Sequence, residues 1–389
     1  MEQLKLSDRM EELLMFTLQS HINQTLEVDL PLSKDFCSNL LRDEPNDSVS
    51  LPASSNTSSF GGVPQYPLFK RLALALCQSI ISGSFCKTYN KIGFFEEDIC
   101  PKQKEEQWNK LIIEKGFELM NVLKVAFYEL HVQEPFFSQI KNGLKTVEGR
   151  CAGGKYSRIE PGAMVLLNKS IVLEVEDVRR YASFLEMLEA ESPSKVLPGV
   201  KTIEEGVKLY RNFYTEEREM PNGVLAISLS KFSPQPYLYL ANILSELSYD
   251  GVQSLLGLAH TAGTVPDALP PARSTLLSSF TLPYRPNVKV SSLTHGARAL
   301  AKHAERSSNK YWGILSGNDT NKNRLAMNVI NRLIAACCWS NVHIVPPHGA
   351  VFEIRVADGY GARWSKDGTK FIGFLEPYME DGYSRGWKH

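Results

Sequence analysis

One short run of residues carries more reactive chemistry than its surroundings. From 143 to 150 it reads Gly-Leu-Lys-Thr-Val-Glu-Gly-Arg, which places an ammonium (Lys145), a carboxylate (Glu148) and a guanidinium (Arg150) close together. The guanidinium can pair with a phosphate in bidentate fashion, the ammonium adds a point charge, and the carboxylate accepts hydrogen bonds from base amino groups. The same charges can also pair with one another on a solvated strand. From the residues alone, the run is either a solvated strand whose charges pair with one another or a group of charges that binds a ligand.

Two more basic residues follow this run. Lys155 and Arg158 lie in or beside a loop, 151–157, that contains two consecutive glycines. Their closeness in sequence allows them to extend a basic rim around the cleft, although an ordinary exposed loop explains them equally well. The predicted ligand-binding set is Lys145, Glu148, Arg150, Lys155 and Arg158.

The elements that must position this set are short strands and helices. Glu134-Pro135 predicts a helix start, because proline fits the first turn, and Gly143 predicts its end. Residues 145–150 alternate as a strand does, so Lys145 and Glu148 meet only across a bend. Other candidate strands are 125–132, 163–167, 171–178 and 223–229. The pattern is typical of an antiparallel barrel.

The run also resembles the GxKxxExR signature of the ASCH family (activating signal cointegrator homology), a barrel similar to the PUA RNA-binding fold. The helix before Gly143, the Pro161-Gly162 turn and the closing strand Leu225-Ala226-Ile227 are similar to later features of the family. The resemblance covers about 110 residues and points to a long, plant- or eukaryote-type member. It implies a cleft, lined by the motif, that suits a nucleotide or an RNA end.

The resemblance leaves an enzymatic interpretation open. A bacterial branch of the family hydrolyses N4-acetylcytidine with a lysine, a threonine and a glutamate. Lys145 matches that lysine, but Glu148 stands at the position of the threonine, which alters the nucleophile and its relay. Pairing with Glu148 is expected to keep Lys145 protonated, whereas a base needs a pKa lowered by burial. The prediction is RNA or modified-nucleotide binding. Its alternatives are an amidohydrolase using Lys145 and Glu148, or a protein-interaction module in transcription or RNA metabolism.

The composition of the chain limits its number of domains, its kind of RNA site and its location in the cell. The chain of 389 residues exceeds one ordinary core, so two or three domains are expected. Its 43 basic and 43 acidic residues cancel, which restricts any RNA site to a local patch. The seven cysteines form no CxxC pair and have no matching histidine spacing, so metal binding is not expected. No cofactor is predicted either. The sequence shows no signal peptide and no apolar stretch long enough for a bilayer, so a cytoplasmic or nuclear protein without a membrane partner is expected.

These patterns together predict an α+β chain, with a PUA-like barrel between flanking helices and a second α+β domain. The predicted domains are an N-terminal helical segment (1–43), a disordered linker (44–65), bracing helices (66–122), the barrel (123–232) and a C-terminal domain (233–389). The linker is predicted from its Ser, Asn, Pro and Gly content.

The C-terminal domain contains a second group of candidate residues. From 291 to 389, thirteen Lys and Arg stand against eight Asp and Glu, with aromatic residues interleaved. Such a mixture suits stacking on single-stranded RNA, although a small packed core needs aromatic residues too. A hairpin predicted at 358–361 would bring the flanking charges together. The second-site candidates are Arg355, Asp358, Arg363 and Trp364, and His343 and His348 are further candidates.

Overall fold

The chain divides into two compact units. The computed structural model describes residues 2–48, 61–86, 100–286, 292–306 and 310–377. Unit 1 comprises Met1–Thr17 and Glu114–Asn242, and unit 2 comprises Leu18–Ile113 and Ile243–His389. The domain limits drawn from composition stay predictions, and positions 49–60 of the predicted linker lie outside the described residues.

Helices occupy much of both units. The α-helices of the described residues are α1 (Glu2–Ile22), α2 (Lys34–Leu41), α3 (Leu68–Ser82), α4 (Cys100–Leu111), α5 (Phe117–Val125), α6 (Phe136–Lys141), α7 (Phe184–Ala190), α8 (Pro193–Val196), α9 (Ile203–Arg211), α10 (Glu216–Asn222), α11 (Pro236–Leu256), α12 (Arg273–Thr281), α13 (His295–Arg306) and α14 (Asp319–Ala336). A π-helical segment, Ile112–Gly116, joins α4 to α5, and α11 is kinked at Ser248.

The strands form two sheets. They are β1 (Tyr128–Leu130), β2 (Val147–Cys151), β3 (Met164–Leu167), β4 (Ile171–Tyr181), β5 (Val224–Lys231), β6 (Trp339–Val345), β7 (Gly349–Arg355), β8 (Gly361–Ser365) and β9 (Phe371–Leu375). Sheet A, in unit 1, has the order β1-β3-β4-β5-β2, and sheet B, in unit 2, has the order β6-β7-β8-β9.

Sheet A is the curved element that carries the charged run. Its β1 pairs parallel with β3, while the other neighbours are antiparallel. A register shift between Val175 and Asp177 interrupts β4, and such a bulge bends a strand and increases its twist. The sheet curls into a half-barrel with flanking helices, which confirms the predicted barrel and the α+β class.

Side-chain alternation along β5 explains how both faces of sheet A are covered. Leu225, Ile227 and Leu229 belong to a core that also contains apolar residues of β1, β3 and β4. Val224 and Ala226 point the other way and join a second core with residues of α7 and α9. Because apolar residues occupy both faces, β5 reads as a nearly continuous hydrophobic run in the sequence.

Sheet B has one apolar face and one polar face. Phe352, Ile354 and Trp364 lie on the apolar side and share a core with Ile330 and Leu333 of α14. The sequence pattern predicts three strands here, at 342–345, 351–357 and 371–375, whereas the structure has four. The missed strand is β8, a five-residue segment that contains a glycine and an arginine and follows directly on the predicted hairpin.

No helix in the described ranges combines the length and hydrophobicity of a membrane-spanning segment. Within the same ranges, no group of three or more His, Cys, Asp and Glu side chains is arranged to hold a metal ion.

Candidate functional site

A helix end and an edge strand place the charged run. Just beyond α6, Gly143 has a φ of 73°, which glycine adopts without the strain that a side chain would bring. The chain then turns through Lys145 into β2, which contains Glu148 and Arg150. Because these two residues are two positions apart in a strand, their side chains leave the same face.

The three charges form a buried ion triad. Lys145 Nζ lies 3.1 Å from Glu148 Oε2, and Arg150 Nε lies 2.8 Å from Glu148 Oε1. The Lys145 ammonium also donates hydrogen bonds to the carbonyl oxygens of Val147, at 2.8 Å, and Val196. Lys145 is 2% exposed and Glu148 7% exposed, so the structure brings together the three residues of the signature away from water.

In this triad, burial and ion pairing shift the pKa values of Lys145 and Glu148 in opposite directions. Burial lowers the pKa of Lys145 below its ordinary value, against the attraction of Glu148. Burial also opposes the charge on Glu148, but Lys145 and Arg150 bring the pKa of this carboxyl below its usual range. The expectation that pairing with Glu148 keeps Lys145 protonated stays a prediction, and the structure adds an opposing influence of burial that the sequence does not show.

A cavity of about 250 Å³ opens beside the triad. Its lining combines the three charged residues with aromatic rings and a few aliphatic side chains. The lining includes Lys145, Glu148, Arg150, Phe136, Tyr210, Phe213 and Tyr214. The volume lies just below the range typical of pockets for drug-sized molecules, so the cavity suits a single ring system rather than a larger ligand.

The aromatic residues of this lining were not identified from the sequence. Tyr210, Phe213 and Tyr214 lie at and just beyond the end of α9, far along the chain from the signature. Their spacing of three and four residues is the one that places side chains on one side of a helical turn. That spacing was the available signal, but it also fits a core-facing helix, as Tyr210 stacked on Phe184 illustrates.

Arg150 links the triad to the surrounding backbone and rings. Its Nη2 donates a hydrogen bond of 2.6 Å to the His131 carbonyl oxygen, and Nη1 lies 3.5 Å from the Tyr214 hydroxyl. Its guanidinium carbon is 5.6 Å from the centre of the Tyr156 ring. Burial by itself lowers the pKa of Arg150, but attraction to Glu148, Tyr214 and Tyr156 and the contact with the Tyr214 hydroxyl together raise it above its ordinary value. Arg150 therefore remains a fixed cation at the wall of the cavity.

The two basic loop residues lie outside the cavity lining. Lys155 is exposed, with Nζ 3.0 Å from the Glu129 carbonyl oxygen and 5.4 Å from the centre of the Tyr156 ring. Arg158 is also exposed, and its carbonyl oxygen accepts a hydrogen bond from Tyr128. Tyr156 thus contacts both Arg150 and Lys155, so one of the two predicted rim residues is connected to the triad through an aromatic ring.

Gly149 permits a close approach of α9 to β2. A Cβ at this position would overlap the Tyr210 hydroxyl and lie 2.8 Å from Met187 Cε. The Tyr210 hydroxyl is buried against Gly149 without a hydrogen bond of good geometry, and burial raises the pKa of Tyr210 well above its ordinary value. The glycine within the signature therefore has a packing role that brings a phenol to the cavity.

We expect Gly149→Ala to lower the free energy of unfolding by about 1–3 kcal/mol, because the added methyl group must displace Tyr210. Urea denaturation of the purified chain measures the change. Gly153→Ala is the matched control, since its methyl group would lie 3.7 Å from Asn222, an ordinary contact. Equal losses in the two variants would contradict the proposed packing role.

The second-site candidates separate into different environments. Arg355 and Arg363 are buried and both pair with Glu353, whereas Asp358 is exposed. Trp364 is fully buried on the apolar face of sheet B, and its Nε1 donates a hydrogen bond of 3.2 Å to the Leu276 carbonyl oxygen. The structure therefore brings the two arginines together and places Trp364 in the core, on the opposite face of the sheet.

Glu353 is the centre of this second cluster, and sequence analysis did not select it. Its Oε1 lies 2.6 Å from Arg355 Nε, and its Oε2 lies 2.7 Å from Arg363 Nη2 and 3.2 Å from His343 Nε2. Although burial opposes ionisation, His343 and the two arginines lower the pKa of Glu353 to about 2. One signal was available: Glu353 alternates with Arg355 in a predicted strand, which places both on one face.

Comparison with known proteins gives two family matches. Residues 130–233 match the ASCH domain, which confirms the resemblance of the charged run, and residues 284–376 match the CdiA C-terminal tRNase toxin domain. Among solved structures, hypothetical protein PH0355 is 45% identical over 27% of this chain and 98% of its own, with a TM-score of 0.27. Protein PF0455 from Pyrococcus furiosus is 42% identical over 27% and 97%, with a TM-score of 0.25. No curated protein matches the chain.

Proposed function

Since the chain belongs to the ASCH-domain family through residues 130–233, we propose that the cavity beside the ion triad binds RNA by accepting one nucleobase. The observation that carries this proposal is the joint lining of one cavity by a buried ion triad and aromatic rings. Every base has a face that stacks on aromatic side chains and an edge that hydrogen-bonds to polar groups.

The charges of the triad favour recognition of a base over recognition of a phosphate. Glu148 neutralises one of its two cationic neighbours, so the triad as a whole carries about one positive charge when Lys145 is protonated. The carboxylate accepts from exocyclic amino groups, and the guanidinium of Arg150 donates to ring acceptors. The exposed ammonium of Lys155 and the guanidinium of Arg158 are available for the flanking phosphates.

A binding experiment tests this proposal with variants that spare the triad. Phe213 lines the cavity and is 42% exposed, so Phe213→Ala removes a stacking surface with little effect on the core. We expect a roughly 5- to 150-fold loss of affinity for a short single-stranded RNA in fluorescence anisotropy, the equivalent of about 1–3 kcal/mol for one stacked base.

The same binding experiment includes a control variant and a variant of the two exposed basic residues. Phe117→Ala, at an aromatic residue that is 64% exposed and does not line the cavity, should leave the affinity unchanged. Lys155→Ala combined with Arg158→Ala should weaken binding mainly at low salt, since exposed phosphate contacts are screened. Equal affinities of wild type and Phe213→Ala would overturn the proposal.

Amidohydrolysis remains an alternative use of the same cavity. The lowered pKa of Lys145 favours it, because a neutral amine can act as a base. The signature has a carboxylate, Glu148, where the threonine of the hydrolytic branch is expected, and this carboxylate is already held by two cations. Incubation with N4-acetylcytidine distinguishes the two functions: released acetate supports hydrolysis, and its absence at high protein concentration supports binding alone.

A second candidate function belongs to the C-terminal domain, which we propose acts on RNA as a nuclease. The match of residues 284–376 to a tRNase toxin domain motivates it, and the cluster of Glu353, Arg355, Arg363 and His343 within those residues favours it. Incubation of the purified chain with transfer RNA, followed by gel electrophoresis, tests it, and intact RNA at high protein concentration would contradict it.

A further inference from the structure

The polar face of sheet B gathers the residues of the second cluster. In the antiparallel register Glu353 lies directly opposite Arg363 on β8 and Asn341 on β6. Arg355 and His343 occupy positions of the same parity on their strands, so they share this face. The apolar residues of the same strands face the core on the other side. A charged cluster is thus presented by rigid strands rather than by loops, an arrangement that suits a preorganised site.

The side chains of this cluster differ in how far they are exposed to solvent. The Glu353 side chain is 1% exposed, those of Arg355 and Arg363 are each 9% exposed, and that of His343 is 13% exposed. The carboxylate therefore forms the base of the cluster, and the imidazole is its most accessible member. The imidazole of His343, which can exchange protons, is therefore the side chain of the cluster that a ligand at the surface reaches most easily.

The contact between His343 and Glu353 fixes the form of the imidazole. A carboxylate with a pKa near 2 is ionised at neutral pH and accepts a hydrogen bond from Nε2, which lies 3.2 Å from Oε2. The neutral ring then carries its proton on Nε2, so Nδ1 presents a lone pair. Nδ1 makes no hydrogen bond to the described residues, and the ring lies edge-on to Trp339. A carboxylate that orients an imidazole in this way is a recurrent device for making histidine a general base.

Glu353 also sets the position of the two guanidinium groups. Arg355 is held by the Gly359 and Glu376 carbonyl oxygens, at 2.7 Å and 3.1 Å, in addition to the carboxylate. Arg363 donates from Nε and Nη2 to the same carboxylate oxygen, at 3.0 Å and 2.7 Å. When His343 is protonated, the cluster carries a net charge of +2, because three cationic side chains stand against the one carboxylate of Glu353. This positive charge suits a phosphodiester that gains negative charge during reaction.

We propose that His343 is the general base that removes the ribose 2′-hydroxyl proton when RNA is cleaved at this face, with Glu353 as its positioning residue. Arg355 and Arg363 stabilise the charge that develops on the phosphoryl oxygens. The inference rests on the nuclease activity proposed above and adds its site and its reaction. The two guanidinium groups repel a divalent cation and already occupy both oxygens of the one carboxylate, so the residues here favour a reaction driven by acid–base groups.

The reaction balances without a co-reactant. The 2′-hydroxyl gives its proton to Nδ1 of His343 while its oxygen attacks phosphorus, forming the 2′-O–P bond. The P–O5′ bond then breaks, and the leaving O5′ takes a proton from the imidazolium, which returns to its neutral form. The products are one RNA fragment that ends in a 2′,3′-cyclic phosphate and another that begins with a 5′-hydroxyl.

The experiment uses the full chain, transfer RNA and a chelator in excess, with the fragment ends identified by enzymatic phosphate removal and labelling. Wild type is expected to produce cyclic phosphate and 5′-hydroxyl ends. His343→Ala and His343→Asn should slow cleavage about 100- to 10,000-fold, the usual contribution of a general base. His348→Ala, at an exposed histidine of the β6–β7 turn, is the matched control and should cleave as wild type does.

A further variant distinguishes positioning from folding. Glu353→Gln keeps the shape of the side chain, so it should reduce the rate and change its pH profile by removing the negative charge beside the imidazole. Fragments with 3′-hydroxyl and 5′-phosphate ends, or undiminished cleavage by both His343 variants, would overturn the inference and leave the proposed nuclease activity standing. The ends of the fragments that wild type produces test the proposed reaction even if a variant fails to fold. No cleavage by wild type would overturn both.

Discussion

Replacement of Glu148 by alanine is expected to lower the free energy of unfolding by about 3–5 kcal/mol, the usual cost of removing one partner from a buried ion pair. The variant leaves the Lys145 ammonium and the Arg150 guanidinium close together without the carboxylate that separates them. Urea denaturation at neutral pH measures the loss. The same variant should lower the pKa of Lys145 further, since the attraction that opposes burial is gone.

A surface ion pair of unit 1 supplies the control for this prediction. Lys115 Nζ lies 3.2 Å from Glu118 Oε2, and the two side chains are 39% and 45% exposed. Glu118→Ala should therefore cost less than about 1 kcal/mol. A loss in Glu148→Ala no larger than in this control would show that the triad is not the tightly coupled unit described above.

The second large effect concerns acid stability and Glu353. Its pKa is about 2 in the folded chain against an ordinary value of 4.5, so the folded state binds this proton more weakly than the unfolded state. Stability from this source is fully present above pH 4.5 and is lost as the pH falls towards 2. The difference corresponds to about 3 kcal/mol. Unfolding free energies of wild type at a series of pH values in this window should fall more steeply than those of Glu353→Gln, which cannot titrate here.

An exposed carboxylate gives the comparison for this pH series. Asp358 is exposed and has no such pairing, so Asp358→Asn should retain the pH dependence of wild type. The prediction fails if Glu353→Gln and wild type lose stability in parallel between pH 4.5 and 2.

Local features of the sequence predicted much of sheet A and of its cleft. Pro135 and Gly143 bound a helix for reasons that act within one turn, and alternation in 145–150 indicated a strand. The spacing of Lys145, Glu148 and Arg150 was sufficient to place the three charges together. These inferences hold because each depends on residues that are neighbours in the chain.

The features of the fold and the site that the sequence did not predict depend on contacts between residues far apart in the chain. Tyr210 reaches the cavity because Gly149 has no side chain, and this complementarity is visible only when α9 lies on β2. Likewise, Trp364 was grouped with Arg363 by sequence proximity, although consecutive strand residues face opposite sides of a sheet. The register of β7 with β8 is needed to identify Arg363 as a partner of Glu353.

The position of β2 in sheet A has a consequence for the order of events during synthesis. β2 pairs with β5, the last strand of the sheet to be made, and with no other strand of sheet A. Every residue of the signature thus leaves the ribosome long before the segment that fixes its geometry, Val224–Lys231. Until that segment emerges, Lys145, Glu148 and Arg150 belong to an unpaired strand in water, where their charges are solvated and weakly coupled. The cleft is therefore assembled by the closure of a long loop, a late and entropically costly step of folding.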